Sequence, residues 1–120
     1  MKGENYMVYL QDGNRRTVGY LDGDTCKDIN DKILGYIEQD SSHKYLNNII
    51  NSKGSVMGHL NNDRIQGKDG SIWGYVDGDN VQTKERHTIG YVKAENPQDE
   101  DDIARAGAAL FCFFDLSAFW

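Results

Sequence analysis

Apolar residues recur at three fixed positions around a triplet of glycine, an aromatic ring or histidine, and an apolar residue. The triplets begin at Gly19, Gly35, Gly58, Gly74 and Gly90, so the steps between them are 16, 23, 16 and 16 residues. The residue nine before each glycine, the residue just before it and the residue two after it are apolar in every copy. A repeat unit that buries the same face against its neighbours has this pattern. The sequence therefore predicts five copies of one supersecondary unit.

The residues around each glycine alternate with a period of two. Ile72, Gly74 and Val76 are expected on one face of a strand, and Trp73 and Tyr75 on the other. Turn signals separate the strands, and they are Asp22-Gly23-Asp24, Asn30-Asp31, Lys53-Gly54, Asp69-Gly70 and Asp77-Gly78-Asp79. A sixteen-residue unit thus predicts two short strands joined by tight turns, which makes a repeated β-hairpin meander.

A glycine at the centre of each strand weakens the strand unless another group approaches closely there. Five such glycines in register predict a groove that receives a bulky element, either a sharply bent strand or a docked segment. Seven additional residues between Glu38 and Ser55 form the one longer excursion from the repeat.

The chain changes character at Asn96. Asn96 is a good helix N-cap, Pro97 suits the first helical position, and the acids that follow complement the positive end of a helix. We expect a helix over residues 97–106; the residues over 107–120 are then either helix or, with Gly107 ending the helix, a strand over 110–116, which their phenylalanines and cysteine mildly favour. The apolar run from Ala106 to Phe114 is too short to span a bilayer.

Two interpretations of this apolar tail remain open. It packs on the repeat sheet as part of the core, or it docks on another subunit, because so aromatic a segment has to be covered. In the second case the interface residues are Leu110, Phe111, Phe113, Phe114, Phe119 and Trp120.

Composition indicates a single domain, with the repeat region over 1–95 and the helix and capping tail over 96–120. Only 38% of residues are apolar, so the core is expected to be thin and aromatic. A net charge of −6 disfavours nucleic acid and anionic membranes as partners. Cys26 and Cys112 show no metal-binding or disulfide spacing and are expected in the core, and no cofactor is indicated. The first residues lack the apolar stretch of a secretory signal, so a cytoplasmic location is expected.

Two surface sites are conceivable. Tyr20, Tyr36, Trp73, Tyr75 and Tyr91 line up on one face if the units stack in register, either as core or interface, or as a surface for a glycan or peptide. The carboxylates Asp22, Asp24, Asp77 and Asp79 are first of all turn residues, and alternatively ligands for calcium. His59 takes the tyrosine position in the third copy, and no motif pairs a histidine with a nucleophile, so the chain is not expected to be an enzyme.

The unit Gly-Tyr-apolar-x-Gly-Asp resembles short β-hairpin repeats of small uncharacterised bacterial proteins, over about residues 7–93. It is more loosely similar to choline-binding and cell-wall-binding repeats, which form hairpin solenoids. Those repeats carry paired tryptophans, whereas Trp73 stands alone in this repeat region. The resemblance implies stacked hairpins and transfers no ligand site.

The sequence therefore predicts a mainly β protein: a five-unit hairpin meander, curled into an open barrel, fan or short solenoid, with a C-terminal helix and apolar tail. The predicted function is a structural or protein-interaction module that binds itself or another protein. A carbohydrate-binding module and a calcium-stabilised adhesion module are the alternatives.

Overall fold

The computed structural model describes residues 7–43, 45–94 and 100–120. Within them the chain forms ten strands, an α-helix α1 over Glu100–Phe113 and a short 3-10 helix over Ser117–Phe119. The strands are β1 Met7–Asp12, β2 Thr17–Asp22, β3 Thr25–Asp28, β4 Ile33–Gln39, β5 Leu46–Asn51, β6 Val56–Asn61, β7 Arg64–Gly67, β8 Ile72–Asp77, β9 Asn80–Thr83 and β10 Thr88–Ala94.

Each strand pairs antiparallel with the next along the chain, and β1 also pairs with β10. The mainly β hairpin meander with a C-terminal helix is confirmed. The sheet closes into a barrel, whereas the sequence predicted an open barrel, a fan or a short solenoid. Closure leaves no unpaired strand edge among the ten strands, which an open meander would expose at both ends.

Every unit carries a β-bulge just before its glycine. The pairing between strands skips one residue there, and the skipped residues are Val18, Leu34, Met57, Trp73 and Ile89. A bulge breaks the strict alternation of side chains, so this apolar residue joins the core beside the glycine. The prediction that Trp73 shares a face with Tyr75 is therefore wrong, because the indole lies against Gly58 and Gly67 within the core.

The barrel interior is filled by α1. Residues 106–110 of the helix are all buried. The barrel wall around them is lined by the two repeat columns nine before and two after each glycine, and these residues are Leu10, Cys26, Ile49, Ile65 and Val81, and Leu21, Ile37, Leu60, Val76 and Val92. The predicted apolar columns are thus confirmed as the core.

The strand glycines make room for rings from the tail. A β-carbon at Gly19 would come within 2.6 Å of Phe114, and one at Gly74 within 2.6 Å of Phe111. Phe113 occupies the same place at Gly35. The groove predicted from the glycine row is confirmed, and the docked segment is the C-terminal helix.

The predicted helix start at Asn96 and Pro97 lies outside the described residues. The helix continues through Gly107 to Phe113, so the predicted helix end at Ala106 and the strand over 110–116 are wrong. Gly107 serves close packing, since a β-carbon there would come within 2.7 Å of Val76. Burial inside the barrel outweighs the modest cost of glycine in a helix.

The hairpin loops divide between the two ends of the barrel. At one end, polar side chains such as Asp12 and Asp28 close the loops by accepting backbone hydrogen bonds; Asp12 Oδ1 accepts from Asn14 and Arg16 at 2.9 and 3.0 Å. One residue in each of these loops has positive φ, and these are Arg15, Asp31, Gly54, Gly70 and Arg86. The opposite end carries the tight turns at Gly23, Asn62 and Gly78, the β4–β5 loop and the start of α1.

Candidate functional site

The four predicted tyrosines occupy equivalent positions on the outside of the barrel. Tyr20, Tyr36, Tyr75 and Tyr91 are half-buried, and each stands between inward-facing residues that are buried. His59 takes this position in β6, and its Nδ1 lies 3.1 Å from Asn48 Oδ1 on the neighbouring strand. Trp73 does not belong to this outer row, since its ring lies inside.

Two of the four rings are covered by arginine. The guanidinium carbons of Arg15 and Arg86 lie 3.8 Å from the ring centres of Tyr91 and Tyr75. A cation–π contact of this kind covers one face of the tyrosine ring and shields it from solvent. The equivalent loop positions near Tyr20 and Tyr36 carry Asp31 and Gly54. The glycan hypothesis is therefore confined to Tyr20 and Tyr36, the two rings without a guanidinium at the equivalent loop position.

The C-terminal tail belongs mainly to the core. Leu110 is fully buried, while Phe111, Phe113 and Phe114 are half-buried and pack against it. The interface prediction is therefore wrong for Leu110, and the phenylalanines serve the barrel of their own chain. Phe119 packs on Gly13 at the β1–β2 loop. Trp120 differs from all of these because it is 60% exposed.

The four carboxylates predicted as calcium ligands do not come together in one site. Asp22 and Asp24 flank one turn and Asp77 and Asp79 another, and all four are exposed. Asp24 Oδ1 pairs with Arg105, whose guanidinium also donates to the Ile37 carbonyl. In the part of the chain that the structure describes, no three acidic, histidine or cysteine side chains are placed to hold a metal ion. The carboxylates serve the turns and the barrel mouth.

The two ends of the barrel carry opposite charge. We define the basic end as the five closing loops and residues 114–120; its exposed charged residues are Arg15, Arg16, Lys32, Lys53, Lys68, Lys84 and Arg86 against Asp31, Asp69, Glu85 and Asp115. The acidic end holds the other turns and the start of α1; its exposed charged residues are Asp22, Asp24, Glu38, Asp63, Asp77, Asp79, Glu100 and Asp101 against Arg64 and Lys93. Among these exposed residues, seven minus four gives +3 at one end, and two minus eight gives −6 at the other; adding the less exposed Asp12 and Asp28 at the first end, and Asp40, Asp102 and Arg105 at the second, gives +1 and −7.

A cavity of about 990 Å³ opens beside α1 at the acidic end and extends along the wall to Gln11 of β1 and Arg15 of the β1–β2 loop. We call it the helix-side cavity. Its apolar lining includes Val76 of β8, Val92 of β10, and Ile103 and Ala104 of α1. Its polar lining includes Asp63, Asp77, Asp79, Glu100, Asp101 and Lys93. The sequence could not reveal this cavity, because its lining residues come from β1, β8, β10 and α1, which only the folded chain brings together.

A second cavity of about 510 Å³ lies at the same end, toward the β4–β5 loop. Asn47 and Arg105 line it. Asn47 Oδ1 and Arg105 Nε are buried without a hydrogen-bond partner. Arg105 nevertheless ties the helix to the wall through Asp24 and the Ile37 carbonyl, and it pairs with Asp102 one turn earlier in the helix.

The β4–β5 loop brings Asp40, Ser42 and His43 together. Ser42 Oγ donates to Asp40 Oδ1 at 2.6 Å and lies 3.2 Å from His43 Nδ1. These donations from the Ser42 hydroxyl and its backbone N–H hold the pKa of Asp40 below its usual range. Because its proton is directed to Asp40, Ser42 is placed as a turn residue rather than as an activated nucleophile.

Both cysteines are shielded from solvent. Burial raises the pKa of Cys26 to about 12, with smaller contributions from Cys112 and Asp28, and burial alone raises that of Cys112 to about 12. Thiolates are the reactive form, so neither thiol is suited to nucleophilic or redox chemistry. The prediction that the cysteines lie in the core is confirmed for Cys26, whereas Cys112 is half-buried and packs against the core from α1.

We expect both thiols to resist alkylation in the folded protein at pH 8 and to react together on unfolding. The folded thiols stay protonated to about pH 12, whereas unfolded thiols ionise near 9.0. Their contribution to stability is therefore complete below pH 9.0 and is lost as the pH rises toward 12. Mass spectrometry after iodoacetamide treatment, with and without denaturant, measures the reactivity. Rapid labelling of one thiol in the native protein would contradict this shielding.

In the described residues, no helix is long and apolar enough to cross a membrane. A protein-family model with the description "5-fold beta-flower protein" matches residues 10–109, which cover the repeats and half of α1. No curated protein and no solved structure matches the chain significantly. The match supports the resemblance to small β-repeat proteins. It provides no support for the looser similarity to choline-binding repeats.

Proposed function

The chain belongs to the 5-fold beta-flower protein family, and from this premise we propose that it is a non-enzymatic interaction module whose barrels associate end to end. The observation that carries the proposal is the separation of charge between the exposed residues of the basic end, +3, and those of the acidic end, −6. Complementary potentials steer two surfaces together and fix their orientation. Each copy presents both surfaces, so a second copy is a complete partner.

The filled interior of the barrel favours a function in which partners bind to its outer surface. Ala106, Ala108, Ala109 and Leu110 fill the space between the strands and are fully buried. Small β-barrels that bind ligands inside keep that space open. With the interior occupied by its own helix, this chain offers partners its ends and its outer wall.

End-to-end contact between unlike surfaces is heterologous. Such contacts generate rings if the rotation between copies closes, and open stacks if it does not. Single exposed ion pairs contribute little, so the proposal relies on many charges acting together across two opposed ends. Association of this kind weakens as salt screens the charges.

The test is a charge swap measured by sedimentation velocity. We expect the chain to exceed its 13.6 kDa monomer mass at low ionic strength and to approach it in about 0.5 M salt. The variant Lys68→Glu/Lys84→Glu makes both ends acidic, and Asp22→Lys/Asp77→Lys weakens the acidic end. We expect each variant alone to associate more weakly than the native chain and a 1:1 mixture to associate again.

The mixture separates this arrangement from the alternatives. Face-to-face pairing of identical ends would let at least one variant associate by itself as strongly as the native chain. A chain that remains a monomer at low salt and at the highest concentration measured contradicts the proposal. Circular dichroism of each variant verifies that the exposed substitutions leave the barrel folded.

A further inference from the structure

We infer that the Trp120 side chain of one copy inserts into the helix-side cavity of the next copy, an inference that rests on the proposed end-to-end association. Trp120 is 60% exposed at the basic end. Tryptophan is the residue type most enriched in the energetic centres of protein interfaces. A site that binds this indole has to offer apolar contact to its rings and an acceptor for its N–H.

The helix-side cavity has both chemistries. Val76, Val92, Ile103 and Ala104 supply apolar surface, and the carboxylates of Asp63, Asp77 and Asp79 supply acceptors for the indole N–H. A tryptophan side chain buries about 150–250 Å², and a cavity of about 990 Å³ can receive it.

Trp120 and the cavity lie on the same side of the barrel. The Trp120 ring is 6.0 Å from the ring of Phe111, and Phe111 packs at Gly74 of β8. The cavity is lined by Val76, two residues further along β8, and by Val92 of β10. A shift along the barrel axis therefore carries Trp120 of one copy toward the cavity of the next with little rotation.

The charges surrounding the two features match as well. Lys68, Lys84 and Arg86 belong to the loops on the β7–β10 side of the basic end, while Asp77 and Asp79 border the cavity at the acidic end. The same shift that inserts the indole brings these groups of opposite sign together. Apolar contact and charge complementarity thus favour one orientation of the second copy.

Trp120→Ala tests the inference. We expect the substitution to weaken self-association about tenfold or more, the loss typical of an interface anchor, and Trp120→Phe to weaken it less. The matched control is Ile29→Ala, which removes another apolar side chain that is 65% exposed at the basic end. Sedimentation equilibrium at low salt gives the three dissociation constants, and thermal unfolding verifies that each variant is folded.

The cavity is tested from the other side by Ala104→Leu, which fills part of it. We expect this variant to associate more weakly than the native chain. In the native chain, acrylamide quenching of Trp120 fluorescence is expected to fall as the protein concentration rises and copies associate. In the variant, the quenching is expected to stay unchanged over the same concentrations. If Trp120→Ala associates like the native chain while the charge swap still controls association, the insertion is refuted and end-to-end contact stands. If neither variant set changes association, both proposals fail.

Discussion

Replacing Gly35 with alanine is expected to lower the free energy of unfolding by about 3 kcal/mol, at the upper part of the range for overpacking a core. A β-carbon there would come within 2.5 Å of both Phe113 Cε1 and the Ile50 carbonyl oxygen. The ring is held in the barrel by α1 and the carbonyl belongs to the neighbouring strand, so neither moves away without disturbing its own packing. Urea denaturation followed by tyrosine and tryptophan fluorescence measures the change.

The matched control is Gly23→Asn. Gly23 has φ of 62° and nothing within 4 Å of an added β-carbon. Asparagine already occupies the equivalent turn at Asn62, with φ of 58°. We expect a loss below about 1 kcal/mol, since asparagine tolerates this backbone region. Equal losses at the two glycines would show that backbone freedom, and not space for a ring, explains the glycine row.

Ending the chain after Ala106 is expected to abolish cooperative folding. The cut removes Leu110, Leu116 and the phenylalanines that lie against the strand glycines. Loss of one large core side chain typically costs about 2–5 kcal/mol. Several such losses exceed the total stability of about 5–15 kcal/mol that a small domain has. Far-UV circular dichroism and amide proton dispersion report whether the barrel survives.

The single substitution Trp120→Ala serves as the control for this truncation. Trp120 is largely exposed, so its removal is expected to leave the unfolding transition cooperative. A truncated chain that still unfolds cooperatively would contradict the assignment of α1 as the filling of the barrel. It would instead favour the tail as a separate docking element.

The repeat columns were predictable because they depend on local alternation and spacing. The apolar column nine residues before each glycine was identified from the sequence, and all five of its members are fully buried: Leu10, Cys26, Ile49, Ile65 and Val81. The presence of a helix was recognisable from its acids, and Glu100, Asp101 and Asp102 lie at the beginning of its described part. These signals concern neighbours within a strand or a helical turn, which short-range physics decides.

The β-bulge at Trp73 and the end of the helix could not be predicted from these short-range signals. Trp73 leaves the outer row because the pairing of β7 with β8 skips it, and only the partner strand defines a register. Gly107 reads as a helix terminator in isolation, yet Val76 across the barrel leaves no space for a larger residue. In both places a contact distant in sequence overrides the local preference.

The charge separation follows a similar division. Lysines and arginines outnumber exposed carboxylates in one set of turns, and carboxylates outnumber them in the other, so the residue types are visible along the chain. Their assignment to opposite ends requires the strands to alternate in direction around a closed barrel. The helix-side cavity and the exposed Trp120 were not foreseeable, because both depend on how far α1 fills the barrel.

Local patterning along the chain was thus enough to establish five repeats, their hairpins, the core columns and the need for a bulky group at the glycine row. Closure of the sheet, the insertion of α1 and the separation of charge between the ends were decided by the tertiary structure alone. The physical reason is that alternation and turn chemistry act between near neighbours, whereas closure joins β1 to β10 and packs α1 against strands of all five repeats.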